Sequence, residues 1–268
     1  MPTATELTTL TLSITEHVAT ITINRPDVLN AFNDAFSREF IDTLKQVARD
    51  ADVRVVVITG AGRAFSSGQD LGDLEKKYVP GHVPTMAADL KKRYDPWVKL
   101  IRTMEKPVIA SVNGVAAGAG CSLALACDLR IASEHAKFIE VFVNVGLIPD
   151  SASTWTLPRL IGLGRAMELC MSGRPVKAEE ALAIGLVNQV VPADELESAT
   201  LAVAARIASL PGKALSLTKR LLNESFEHTL TEQLEAEAFA QETAGRTADH
   251  FEGVTAFLQK RTPTFTGK

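Results

Sequence analysis

The chain has 268 residues, 46% of them hydrophobic and 22% charged, with a formal net charge of -4. That length supports one large domain, or a domain with a helical appendage, around an ample core. The acidic balance leaves no polybasic footprint, so nucleic acid is excluded as an expected partner, and no run reaches the roughly 18 apolar residues of a membrane span.

The Thr-rich start carries no Lys or Arg before Arg25 and no apolar leader core, so neither a secretory signal nor a transit peptide is expected and the location predicted is cytoplasmic. A helix is predicted over Asp34–Asp50, with an Asp as cap and with Phe36, Phe40, Ile41, Leu44 and Val47 near helical period. Val53–Thr59 reads as a buried β-branched strand ended by Gly60. The charged stretch from Asp73 to Lys99, with Pro80, Gly81 and Pro84, reads as a partly helical lid over a substrate site. In that stretch Lys76, Lys77, Lys91 and Lys92 form a solvated face rather than a phosphate clamp. Strands follow at Lys106–Val112, Asp128–Ala132 and around Phe138, and an apolar helix at Ser122–Ala126. Beyond Pro192 the pattern is wholly helical: Leu196–Ser209, Ala214–Ser225, Thr231–Thr243 and Asp249–Lys260. The class is therefore α/β; the alternation fits a spiral of strand–strand–helix turns and an ordinary doubly wound sheet equally well.

Two glycine-bearing turns carry the chemistry, Phe65-Ser66-Ser67-Gly68-Gln69-Asp70 and Asn113-Gly114-Val115-Ala116-Ala117-Gly118-Ala119-Gly120-Cys121. Small residues let a substrate oxygen approach the backbone, and a helix start supplies unpaired N–H groups. Two such turns suit an oxyanion hole, the stabiliser of charge that develops on a carbonyl oxygen. Neither the five histidines nor the three cysteines, Cys121, Cys127 and Cys170, show metal spacing or a nucleophile–histidine order, so no metal is expected and the cysteines read as reduced thiols.

These turns, in order with Ile23-Asn24-Arg25-Pro26 to Asn30-Ala31-Phe32, Cys127–Ala132, Gly146-Leu147-Ile148-Pro149, Ala181–Val187, Val190-Val191-Pro192 and Glu252–Arg261, resemble the crotonase (enoyl-CoA hydratase/isomerase) superfamily along nearly the whole chain. The resemblance implies a ββα spiral core over residues 1–195. It also implies a helical region over 196–268 that drives assembly into trimers or hexamers and completes the coenzyme A site. It places the oxyanion N–H groups at Gln69 and Ala119, and makes an acyl-CoA thioester the substrate, with no separate cofactor. Arg25, Phe257 and Lys260 fall where relatives meet coenzyme A, the last two on one helix face.

Hydratases of that family carry two glutamates, and here those positions hold Ser122 and Phe142. Neither exchanges a proton near neutral pH, so a two-glutamate hydration is disfavoured. One acid stands instead at Asp150, fixed by Pro149 and followed by a helix that either Asp150 or Ser151 would cap. An Asp there, before a Ser/Thr-rich turn and Trp155, resembles the phenylacetate-pathway isomerases that act on ring-epoxidised phenylacetyl-CoA. A single carboxylate suits isomerisation, since it can take a proton from one carbon and return it to another. Ser122, Phe142, Leu147 and Trp155 are the expected pocket, with Phe142 or Leu147 desolvating the acid. The competing readings are an atypical enoyl-CoA hydratase, an aryl-CoA dehalogenase with Asp150 as nucleophile, and a silent acyl-CoA- or RNA-binding member.

Overall fold

The structure is a computed structural model that describes residues 7–70, 72 and 85–267. The first part of the expected lid, 73–84, with Lys76, Lys77, Pro80, Gly81, His82 and Pro84, lies outside the described residues. Its remainder forms helices α2 (Met86–Arg93) and α3 (Asp95–Thr103), preceding the next strand.

Two sheets make the core. The hairpin of β1 (Leu10–Thr15) and β2 (Val18–Ile23) turns on Glu16 and His17, both in the left-handed region, which matches the twist of a two-residue hairpin. Three strand pairs then repeat one path: β3 (Val55–Gly60) into β4 (Ala64–Ser66), β5 (Val108–Val112) into β6 (Val115–Ala117), and β7 (Leu129–Ser133) into β8 (Lys137–Ile139). The first member of each pair joins a six-stranded sheet ordered β1-β2-β3-β5-β7-β10, where β10 is Gln189–Val191. The second joins a four-stranded sheet ordered β4-β6-β8-β9, where β9 is Pro175–Lys177. Each rung thus crosses from one sheet to the other before a helix leads to the next, so the chain follows the ββα spiral and not a doubly wound sheet.

Strand limits fall within two residues of the sequence reading, and the buried β-branched runs explain why. The first helix, α1, spans Asp34–Arg49, but its cap is the Asn33 side chain, which accepts from Phe36 N, and not an Asp. Its buried face stacks Phe36 between Phe32 (centroids 4.4 Å) and Phe40 (5.1 Å), filling the core between α1, α3 and the large sheet. Helix α4 (Ala119–Ala126) is buried throughout and runs through the middle of that core. Beyond it come α5 (Ser153–Ile161), α6 (Leu163–Ser172) and α7 (Ala178–Ala183).

The tail is helical as expected: α8 (Leu196–Ala208), α9 (Gly212–Glu224), α10 (Leu230–Gly245) and α11 (Ala248–Leu258). Leu196, Ala204 and Ala208 of α8 pack on Val18, Val55, Val57, Ile109 and Ile131, covering the second face of the large sheet. The extreme C-terminus is tied back by Asp249, which accepts from Thr266 N at 2.7 Å and Gly267 N at 2.8 Å.

Candidate active site

The two glycine turns, about fifty residues apart in sequence, meet edge to edge. Gly68 has φ +87°, and a Cβ there would lie 2.6 Å from Ala117 O and 3.1 Å from Ala119 N. A Cβ on Gly120 would lie 2.4 Å from Ser66 O. Only glycine permits this approach, so the positions immediately before Gln69 and after Ala119 are what bring the two N–H groups together. The neighbouring amides are used: Gly68 N donates to Ser66 Oγ, Asp70 N to Phe32 O and Gly118 N to Ile139 O. Among the described residues, the N–H groups of Gln69 and Ala119 donate to no protein acceptor. Ala119 opens α4, so its amide is an orphan of the helix start and carries the positive end of the dipole.

The first turn is braced from below. Asn30, fully buried, donates from Nδ2 to Ala61 O and Ala64 O, while its carbonyl accepts from Ser66 Oγ at 2.8 Å. Arg25 closes the outside, pairing with Asp70 at 2.9 Å and donating to Ala31 O. Asp70 also accepts from Gly72 N, so it is a turn acid, as its place in the sequence suggests.

Asp150 is half-buried on the turn that leads into α5, and Pro149 precedes it. Ser151 (φ +51°) and Ala152 (φ +70°) are both left-handed, a conformation that costs non-glycine residues energy and needs outside support. Neither Asp150 nor Ser151 caps α5, contrary to the sequence reading. The helix starts at Ser153 without a side-chain cap, and Ser151 Oγ donates instead to Asp150 Oδ1 at 2.9 Å. Support comes from α4: Ser122 Oγ donates to the Asp150 carbonyl at 3.1 Å. Ser122 stands three residues along α4 from Ala119, so the acid's turn and the second amide share one short rigid element. Burial raises the Asp150 carboxyl above the ordinary Asp range; the Ser151 hydroxyl pulls it down and the charge of Asp95, opening α3, pushes it up.

Two neighbours were not among the residues singled out in sequence. Tyr94, buried, donates its phenol to Gln69 Oε1, and burial raises its proton affinity, while Asp150 is close enough to add to the effect. Its sequence context, Lys91-Lys92-Arg93-Tyr94, reads as a solvated face and gives no sign of the role. Glu140, 3% exposed, lies with Oε1 3.1 Å from Ser153 Oγ, which is itself 2.8 Å from Ser122 Oγ. It directly follows β8 and stands two positions before Phe142, so an acid at the end of a buried strand was the available signal.

The other expected residues divide. Phe142 is buried beside the second turn, its Cζ 3.9 Å from where a Gly118 Cβ would stand. Leu147 is 42% exposed and so desolvates little by itself. The Trp155 ring lies against the guanidinium groups of Arg159 (3.9 Å) and Arg102 (5.3 Å). It lines a cavity of about 430 Å³ with Lys219, Asn223 and Phe226, whose walls include none of Gln69, Ala119, Phe142 or Asp150. Phe257 is exposed near the end of α11, but Lys260 lies past the helix end in the left-handed region, so the two do not share a helix face. Cys121 and Cys127 are buried free thiols, and no cluster of His, Cys, Asp and Glu among the described residues has a metal-binding arrangement.

Known proteins resemble this chain over most of its length. The family model described as enoyl-CoA hydratase/isomerase matches residues 13–268. A 1,2-epoxyphenylacetyl-CoA isomerase of Escherichia coli is 45% identical over 251 residues, which are 94% of this chain and 95% of that protein. A protein named probable enoyl-CoA hydratase, from Rhodobacter capsulatus, is 41% identical over 97% of this chain and 98% of its own length. The crystal structure of an enoyl-CoA hydratase from Bacillus anthracis superposes with a TM-score of 0.91 at 36% identity, covering 97% of this chain and all of that one.

Proposed function

Since the chain belongs to the enoyl-CoA hydratase/isomerase family and is an acyl-CoA enzyme of that kind, we propose that it is an isomerase that moves a double bond, with Asp150 as its proton shuttle. The observation that carries the reading is the pairing of one half-buried acid with two unoccupied backbone donors, through Ser122 on α4. The thioester oxygen of a 3-enoyl-CoA would accept from Gln69 N and Ala119 N. Asp150 as carboxylate takes a proton from C2, the electron pair spreads over the dienolate, and its negative oxygen rests on the two amides. The Asp150 carboxylic acid then returns the proton to C4, giving the 2-enoyl-CoA with nothing added or lost. A proton affinity above that of an ordinary Asp makes it the better base for this exchange.

Ser122 and Phe142 stand where two acids would hold a water, and Phe142 puts a ring there instead. That favours isomerisation over hydration, and the lack of an indole N–H at Phe142 disfavours an aryl-CoA dehalogenase. The 45% identity to a 1,2-epoxyphenylacetyl-CoA isomerase supports a ring-epoxide thioester as a substrate handled by the same amides and acid. For the coenzyme A portion, Phe257 and Lys260 are the proposed contacts from the tail. Arg25, already engaged by Asp70, contributes by fixing the first turn. The exposed Phe239, Phe251 and Phe257 on the tail helices support assembly into a trimer or hexamer.

Asp150→Asn tests the role. It keeps the shape and removes the proton carrier, so turnover is expected to fall by about 10² to 10⁴ with acyl-CoA affinity little changed. Unchanged turnover would remove Asp150 from the mechanism and assign the proton transfer to another group.

A further inference from the structure

Beneath the Asp150 turn lies a line of three buried polar side chains that the proposed chemistry does not use. Glu140 Oε1 and Ser153 Oγ are 3.1 Å apart, Ser153 Oγ and Ser122 Oγ 2.8 Å, and Ser122 Oγ and the Asp150 carbonyl 3.1 Å. Glu140, Ser153 and Ser122 are each no more than 3% exposed, so bulk solvent does not reach them. The Ser122 hydroxyl also lies 3.2 Å from Gly118 O, a second carbonyl that can only accept.

Counting protons favours one direction for this line. Each of the three contacts needs one proton, and the two serines bring only two. Neither the Asp150 nor the Gly118 carbonyl can donate, so the single Ser122 proton is shared between them, and the Ser122–Ser153 contact then takes the Ser153 proton. The proton between Ser153 and Glu140 then has to come from Glu140. An ionised Glu140 would take the Ser153 proton and leave one contact unmade, with the weak Cys121 S–H as its other donor.

We propose that Glu140 is a positioning residue for Asp150: as a neutral acid it heads a one-way chain, Glu140 to Ser153 to Ser122 to the Asp150 carbonyl, that holds the acid's left-handed turn. This rests on the reading of Asp150 as proton shuttle. The turn has its own backbone bonds, Ser153 N to Asp150 O and Thr156 N to Ala152 O, and the Ser122 hydroxyl ties it to α4. Losing the line would let the left-handed Ser151 and Ala152 shift the Asp150 carboxyl relative to the acyl carbons.

The surroundings favour the neutral acid. Burial pushes Glu140 up to about 7 and the Asp150 charge adds to the rise, against Cys121 and Ser153, which would donate to the charged form and favour it. The titratable groups facing it are Cys121 on α4, Cys170 on α6 and Asp150. Burial raises both thiols, Cys170 to about 11, so neither charges near neutrality. The chain is therefore intact below about pH 7 and loses its leading proton above it.

The test measures kcat and KM against pH on a 3-enoyl-CoA for the wild type, Glu140→Gln, Glu140→Leu and Asp150→Asn. Gln supplies an N–H to Ser153 at every pH, so Glu140→Gln is expected to restore most of the turnover lost by Glu140→Leu and to lack the alkaline fall in kcat. Glu140→Leu is expected to lose between about tenfold and a hundredfold in kcat with KM within about twofold, the signature of a displaced acid. An alkaline limb that survives in Glu140→Gln, or a Glu140→Leu enzyme with wild-type kcat, overturns the proposal. Loss of turnover in Asp150→Asn beside an unaffected Glu140→Leu would sink this inference alone. Full turnover in Asp150→Asn would sink the shuttle and the inference with it.

Discussion

In the proposed mechanism Asp150 has to do two opposite things, hold a proton and release it, at a pH where an exposed Asp only releases. Burial supplies the difference, and the sign of its effect is testable. The base form is the charged one, so activity is lost as pH falls through the folded-state pKa. The acid limb of kcat/KM is expected above the ordinary Asp range of about 4, and in Asp150→Asn that limb should disappear with the turnover. The amides call for a separate test at Gly120. A Cβ there would stand 2.4 Å from Ser66 O, which is backbone and cannot swing aside. Gly120→Ala should therefore part the two turns and cost on the order of 10² or more in kcat, the scale of one lost oxyanion donor. A Gly120→Ala enzyme of wild-type rate would show that the two amides do not act together. Both turns, and Asp150 after its proline, were legible in the sequence because glycine, proline and a lone acid each have few structural uses. Glu140 and Tyr94 were not legible. Nothing in a Glu after a strand or a Tyr after three basic residues shows that they are buried; only the packing of α3, α4 and α5 makes them so.

Elements in this protein serve as rulers. Helix α4 sets the distance between the Ala119 amide and the Ser122 hydroxyl, and its burial on all sides keeps that distance fixed. Its neighbour α5 begins on a turn that no side chain caps, and the proposed line from Glu140 would contribute to its stability. That dependence has a pH signature. Glu140 rises from 4.5 in the unfolded chain to about 7 when folded, so between those values the folded state holds a proton that the unfolded state has released. Stability from this group is present below pH 4.5 and falls as pH rises towards 7, by about 3 kcal/mol at most. Denaturant melts at pH 5 and pH 8 should therefore show Glu140→Gln gaining on the wild type as pH rises. An equal difference at both pH values would mean that Glu140 is charged throughout. Helix and strand limits were close to those expected from periodicity, and the misses lie at ends. Asn33 caps α1 where Asp was expected, and α11 stops at Leu258, before Lys260, because end geometry depends on local side-chain bonds that periodicity does not encode.

The whole molecule is a spiral of strand pairs shared between two sheets, with one tail helix sealing the open face of the larger sheet. Strand alternation in the sequence allowed two architectures; the repeated crossing from large sheet to small decides for the spiral, and only long-range pairing contains that information. The remaining tail helices leave large apolar side chains exposed, Phe239, Phe251 and Phe257 among them. Light scattering on the purified protein is expected to give three or six times the 28.8 kDa of one chain, and a monomer would remove the proposed assembly. The chemistry itself is tested most directly by following the oxygen. A 3-enoyl-CoA incubated with the enzyme in H₂¹⁸O should become the 2-enoyl-CoA with no label gained, because the proposed shuttle only relocates a proton. Rapid formation of an ¹⁸O-bearing 3-hydroxyacyl-CoA would contradict the account and make the enzyme a hydratase that works without the two glutamates.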